Sequence, residues 1–268
     1  MLTSEKPALH LLVPPSVQCV AAQHGLTPAH LAYRVGSGPH LFRTQLPATL
    51  KGGIMVLEHR GFDGAGQAET FCQEVIRECA VRSFQGLFCD FDIPAVIPVL
   101  ERAVTLLAPA FQKRSWSLYV PQGYAANAPG AKVVVPTALS GGSLRHHLRE
   151  AIDAYGLERV ALGLQWSCED FSLPAREGSG VPLSWNELKV LRQRRRPNVY
   201  FSNDLCAHYF TYMPTGESPH FVLFDDAESM AKKLDLAREM GIREAFLPYP
   251  EPPELLPALL SGKGKETP

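Results

Sequence analysis

Long apolar runs are missing from this 268-residue chain, and so are the patterns that mark several large functional classes. The N-terminal stretch MLTSEKPALHLLVPPS holds only a short apolar segment, interrupted by His10 and stopped by Pro14 and Pro15. It is too short for a secretion signal or a membrane span, which makes a cytoplasmic location the expectation. Charge of one sign is also missing: 26 Lys and Arg against 27 Asp and Glu leave a formal net charge of -1. A near-neutral balance carries no electrostatic footprint for nucleic acid or an anionic membrane surface. The one basic cluster, Arg192, Arg194, Arg195 and Arg196 before Pro197, reads as a solvated loop or helix end.

Cysteine is sparse. The residues at 19, 72, 79, 89, 168 and 206 form no C-x-x-C and no regular framework, so reduced thiols of an intracellular protein are expected. Cys72 and Cys79 fall on one face of a predicted helix and read as a core pair. The adjacent His146 and His147 point in different directions on a helix, and no second ligand set accompanies them. No glycine fingerprint opens any predicted helix, which withholds support from a nucleotide-binding fold. No metal and no cofactor are implied.

What is present is a 46% hydrophobic fraction and a repeated alternation of short β-branched or aromatic runs with helical patterns. That alternation marks β/α units. Predicted strands are LHLLVP, HLFRTQ, GGIMVLEH, GLFCDFD, WSLYVPQ, AKVVVPTAL, RVALGLQWS and, at the end, EAFLPYP. Helices are predicted over AETFCQEVIRECAVRSF, PAVIPVLERAVTLLAPAF, SLRHHLREAIDAYG and DAESMAKKLDLAREMG, with Ser143 as an N-cap and Gly156 as a stop. The polar stretch from Glu169 to Pro197 breaks the rhythm and, with the β-like VYFSND and HYFTYMPTGESPHFVLF, reads as an insertion. Eight strands in about 250 residues predict an irregular (β/α)8 barrel with some helices short or missing. A doubly wound open sheet is the alternative. The expected organisation is one barrel domain over 1–250, interrupted at about 169–220, followed by a flexible tail over 251–268.

One stretch carries chemistry. In FQGLFCDFDIP, Phe84 to Pro94, strand alternation puts Phe88, Asp90 and Asp92 on one side and Leu87, Cys89 and Phe91 on the other. A buried strand rejects two neighbouring acids unless they meet a partner or a ligand. In a barrel of this kind the active site lies at the strand C-terminal ends, where these acids stand.

This segment resembles glycoside hydrolase family 18, the chitinase-like barrels, whose fourth strand reads F-D-G-x-D-x-D-x-E-x-P. Phe84, Gly86, Asp90 and Pro94 match; Gln85 and Phe88 replace the first two aspartates, and Asp92 replaces the glutamate. HFVLFDDAESMAKKLDLAREMGIREAFL resembles the family's closing strand, helix and strand, with Phe224, Asp225, Asp226, Ser229, Lys232 and Gly241 in the matching places. ALGLQWSCEDFSLP is similar to the family's L-G-I-P-x-Y-G-Y-D-W segment, and DLCAHYFTY to the excursion of its spore-lytic and germination-type members. The resemblance spans roughly the second two-thirds of the chain.

The resemblance implies Asp92 as general acid and Asp90 as its electrostatic partner, in a mechanism where the substrate's N-acetyl oxygen is the nucleophile. Apolar Phe88 and like-charged Asp90 would both push the Asp92 carboxyl up. Asp92 is one methylene shorter than the family's glutamate, and a displacement of about 1 Å can slow a reaction on the order of a hundredfold. The family's supporting tyrosine is absent from VVVPTALSGG, Ser167 stands where a second tyrosine falls, and Pro248 stands near its floor tryptophan. Strand-end residues that could furnish a sugar pocket are Glu58, His59 and Arg60, then Gln122, Tyr124, Thr137, Gln165 and Trp166. Taken singly, each fits a core position equally well.

Three functions are compatible with these residues. The first is a diverged barrel that binds an N-acetylglucosamine-containing glycan, chitin-like or from peptidoglycan and spore cortex, with weak or lost hydrolysis. The second is an active glycosidase with Asp92 as acid. The third is a structural or interaction protein of a spore or envelope assembly that has lost the cleft. Association with spores is an expectation of the resemblance; oligomeric state is left open.

Overall fold

A computed structural model describes residues 6–44, 46–47, 50–91, 96–175, 180–216 and 218–261. In chain order the strands are β1 (Ala8–Val13), β2 (Thr27–Gly36), β3 (His40–Arg43), β4 (Ile54–Glu58), β5 (Gly86–Asp90), β6 (Ser117–Pro121) and β7 (Lys132–Pro136). They continue as β8 (Val160–Gly163), β9 (Cys168–Ser172), β10 (Val181–Pro182), β11 (Tyr200–Ser202), β12 (Ala207–Tyr212), β13 (His220–Phe224) and β14 (Glu244–Pro248). The helices are α1 (Cys19–Gln23), α2 (Ala68–Arg82), α3 (Pro98–Gln112), α4 (Leu144–Tyr155), α5 (Trp185–Arg195), α6 (Ala227–Met240) and α7 (Leu255–Leu260).

Eight strands pair in parallel, in the order β1, β14, β8, β7, β6, β5, β4, β2, and β2 returns to β1 to close a barrel. The expected (β/α)8 fold is present, and the open sheet is excluded by the β1–β2 pairing. The second barrel strand differs from the one predicted. It is Thr27–Gly36, not the HLFRTQ segment, which supplies β3, an antiparallel flap on β2. Pro28, His30 and a register shift between Leu31 and Tyr33 break the alternation by which a strand is read. Tertiary contacts secure β2: the Tyr33 hydroxyl donates to Glu78 of α2 at 3.0 Å, and Arg43 and Arg82 pair with the same carboxylate at 2.9 and 3.2 Å.

The helices follow from their sequences. In α2, Phe71, Cys72, Val75 and Cys79 are buried, so the two cysteines are core residues as expected. Gly156 ends α4 with φ 86. Ser143 precedes α4 as expected but its side chain makes no cap bond; the Leu144 amide donates instead to Asp204 of the insertion at 2.8 Å. Between β6 and β7 the chain makes only a 3-10 turn over Gln122–Asn127. The tail expectation needs correcting for 255–260: α7 forms there and buries Leu255, Leu256 and Leu259. Proline-rich composition hid an apolar helical stripe.

The excursion between β8 and β14 is a five-stranded antiparallel sheet in the order β10, β9, β13, β12, β11. Helix α5 covers one face, through Leu188 against Phe210, Val222 and Phe224. Ser184 and Glu187 close a capping box at its start, and Arg192, Arg194 and Arg195 lie in its last turn, where cations suit the helix dipole. The excursion is anchored by Asp225, whose carboxylate takes both bonds from Lys233 Nζ at 2.7 Å, one from Ser229 Oγ at 2.7 Å and one from the Ser167 amide at 3.2 Å. The residue that fills the lysine position is therefore Lys233, and Lys232 is exposed. Asp225, Ser229 and Lys233 are four apart, which stacks them along one helix face.

Candidate active site

The barrel interior is layered. At its centre Phe88, Tyr119 and Phe246 meet, with Phe246 4.6 Å from Phe88 and 4.8 Å from Tyr119 between ring centroids. Strand alternation then sets the layer above: Asp90 two residues beyond Phe88, Pro121 beyond Tyr119, Pro136 beyond Val134 and Pro248 beyond Phe246. These residues, with Leu12, His59, Arg60, Gly163, Leu164 and Gln165, line a cavity of about 360 Å³ at the strand C-terminal ends. Glu58 and Asp90 are register partners on adjacent strands.

Asp90 stands on the cleft wall as expected. Asp92, the residue assigned as acid, lies outside the described residues. Gln165 lines the cleft and is exposed. His59, whose ring meets Phe91 edge-on at 5.9 Å, lines it too, and its buried Nδ1 has no hydrogen-bond partner among the described residues. Glu58 ends β4 half-buried, beside Asp90 but not among the lining residues.

Four expected sugar contacts lie elsewhere. Tyr124 is buried in the layer between barrel and helices, where its ring packs edge-on against Phe91 and its hydroxyl accepts from the Ile97 amide at 3.1 Å. It braces the start of α3 and offers no open ring face. Thr137 is buried, with its amide and hydroxyl both directed to the Gly163 carbonyl. Trp166 is half-buried against the outer core and donates its indole N–H to the Pro248 carbonyl at 2.8 Å. Gln122 opens the turn after β6 and is not among the lining residues. Gln122, Thr137 and Trp166 each directly follow a residue that lines the cleft, and alternation turns them away from it. Phe246 went unrecognised because FLP carries no polar signal.

Below the aromatic layer a polar cluster plugs the N-terminal mouth. Lys132 hydrogen-bonds Glu244 and stands over the Tyr119 ring, and His10 Nε2 is 3.9 Å from the Glu244 carboxylate. Burial alone would raise the Glu244 carboxyl, but the approach of His10, the hydrogen bond and charge of Lys132 and the Tyr119 hydroxyl outweigh it and hold it at about 2. A carboxyl held below its unfolded value stabilises the fold above that value and loses the contribution as pH falls toward the folded one. Stability is expected to drop by on the order of 2 kcal/mol between about pH 4.5 and pH 2 from this group, after solvent screening. Urea midpoints of wild type and Glu244→Gln across that window test this; parallel profiles would refute it.

The fold defines the class: a closed (β/α)8 barrel with an antiparallel excursion before its last strand. Solved structures with this fold include the spore cortex-lytic enzyme SleL of Bacillus cereus, 16% identical over 96% of this chain and 74% of that one, TM-score 0.65. A chitinase from Chromobacterium violaceum is 15% identical over 96% and 99% of the two chains, TM-score 0.68. A mutant of the class V chitinase from Nicotiana tobaccum, solved in complex with NAG4, is 9% identical over 98% and 100%, TM-score 0.65. At these identities the likeness is one of fold. No protein-family model matches the chain.

Proposed function

We propose that this protein is a diverged chitinase-like barrel that binds glycans containing N-acetylglucosamine, with hydrolysis weakened or lost. The observation that carries the reading is the uneven cleft. Asp90, His59 and Arg60, at the ends of the neighbouring strands β5 and β4, can hold sugar hydroxyl and acetamido groups, while the arc from β6 through β7 and β8 to β14 presents Pro121, Pro136 and Pro248, with Gln165 the one polar side chain among its lining residues. Proline offers no N–H and no side-chain donor, so a developing charge at the reaction centre meets little fixed polarity there. Beneath Asp90, Phe88 stacks on Phe246, where a proton-carrying acid would be needed to recharge a general acid. The glycan-binding and chitin-cleaving barrels of the same fold support the choice of sugar.

Calorimetry and mass spectrometry with chitooligosaccharides and peptidoglycan fragments test the proposal. Wild type is expected to bind without releasing products, and Asp90→Asn to bind about tenfold or more weakly, as when a charged hydrogen-bond partner is removed. Cleavage by wild type that Asp92→Asn abolishes would overturn the loss of hydrolysis and make Asp92 the acid of an active glycosidase. Neither binding nor cleavage would leave an assembly protein as the remaining reading.

A further inference from the structure

His208 of β12 is the middle member of three paired strands, standing opposite Phe201 of β11 and Phe224 of β13 in the register of the excursion sheet. Its ring is edge-on to Phe201 at 5.0 Å and stacked on Phe224 at 5.5 Å between centroids. Both ring nitrogens face acids at the start of α6. Nδ1 is 3.3 Å from Asp226 Oδ2, and Nε2 is 3.8 Å from Glu228 Oε2. Nδ1 is buried and makes no other hydrogen bond among the described residues. A neutral imidazole carries one N–H, so between two carboxylates it turns a lone pair on one of them; an imidazolium gives each a proton. Asp226 is also the N-cap of α6, and its second oxygen, Oδ1, accepts from the Ser229 amide at 3.0 Å. One carboxylate is thus shared between the helix cap and the histidine.

We propose that His208 is a titratable latch: as an imidazolium it ties the excursion sheet to the first turn of α6, and on losing its proton it releases that seam. The inference is independent of what the cleft binds. From α6 and its cap, Asp226 and Glu228 face the ring, with Asp225 behind them; β11 and β13 contribute only the rings of Phe201 and Phe224, and Arg192 of α5 stands over the Phe224 ring at 5.7 Å. The charge of Asp225 is already met by Lys233. Burial would keep the ring neutral, but the contact and charge of Asp226, then the charges of Glu228 and Asp225, hold His208 above the ordinary histidine range. Burial opposes ionisation of Asp226 too, yet His208 and the Ser229 amide hold that carboxyl down. A histidine raised by its folded partners stabilises the fold fully below its unfolded value of about 6.5, and loses that contribution as pH rises through the folded one. The excursion therefore has two ties to α6. One is the enclosed pair of Asp225 and Lys233; the other is His208, whose release would loosen β12 while the junction after β8 stays closed.

Two measurements on the full chain test the latch. In proton NMR the His208 ring is expected to titrate above about 6.5, and at lower pH in Glu228→Gln, which removes one of the two acids at an exposed position. Amide exchange, corrected for its intrinsic rise with pH, is expected to become about fivefold faster in β12 and the first turn of α6 once His208 is neutral, as when a partly exposed ion pair is lost. In His208→Gln the same amides are expected to exchange at the fast rate at every pH. The Ser167 amide, held by Asp225, is the control and is expected not to follow the titration. Thermal melts report whether each variant is folded. Should His208→Gln fail to fold, Glu228→Gln carries the test, because its exchange profile must move to lower pH together with its ring titration. A wild-type ring that titrates at or below about 6.5 overturns the inference. So does corrected exchange that ignores the titration, or that rises equally at Ser167, which would mark general loosening of the fold in place of a latch.

Discussion

Phe246→Ala is expected to destabilise the protein by about 3–5 kcal/mol, read as a lowered urea midpoint with unchanged slope. Phe246 is fully buried at the centre of the barrel, where its ring touches Phe88, Tyr119 and, at 4.9 Å, His10. These three neighbours sit on β5, β6 and β1, separate strands of a closed cylinder, so none can move inward without shifting a hydrogen-bonded ladder. The cavity therefore persists and its cost adds to the lost transfer energy. Phe246→Leu, which fills more of the space, is expected to cost clearly less. Because Phe88 lies directly under Asp90, the alanine variant should also weaken glycan binding. A loss below about 1 kcal/mol would mean that the interior repacks and that the aromatic layer does not set the height of the cleft floor.

Asp225→Asn is expected to cost about 3–5 kcal/mol, because it leaves the buried Lys233 ammonium without its counter-charge. The pair is almost fully enclosed, with side-chain exposures of 0% for Asp225 and 1% for Lys233. The same carboxylate accepts from Ser229 and from the Ser167 amide, so the loss reaches the junction where β8 leads into the excursion. Lys233→Met alone is expected to cost a similar amount. The double variant Asp225→Leu with Lys233→Met removes both charges, and is expected to recover much of the loss, since apolar groups of similar size often replace a buried pair at little cost. A double-mutant cycle by urea unfolding, with Asp225→Leu and Lys233→Met each made singly and together, gives the coupling; additive effects within about 0.5 kcal/mol would show that the two residues act independently.

The two residues of this anchor show how far sequence reading reached. Asp225 and Ser229 stand where the family resemblance puts them, but the lysine of the anchor is Lys233, one position past Lys232, because helical geometry brings the residue four beyond Ser229 onto the same face. The cleft divides in the same way. Asp90 was legible because a carboxylate in an apolar strand needs an explanation, and alternation named its face. Tyr124 was misread because its ring closes the outer layer over Phe91, a contact made across two connections that no local pattern records.

By itself, the sequence determined the helices with clear apolar stripes, seven of the barrel strands, the side of β5 on which Asp90 falls, and the excursion as an interruption. Each depends on neighbours three or four apart in a helix or two apart in a strand, and so is local. Tertiary structure alone decided that Thr27–Gly36 closes the barrel, that three prolines line one arc of the cleft, and that His208 of β12 meets two carboxylates at the start of α6. Those outcomes depend on barrel register and sheet order, which join residues distant in the chain and are set by ladder pairing and shared burial rather than by any short run of sequence.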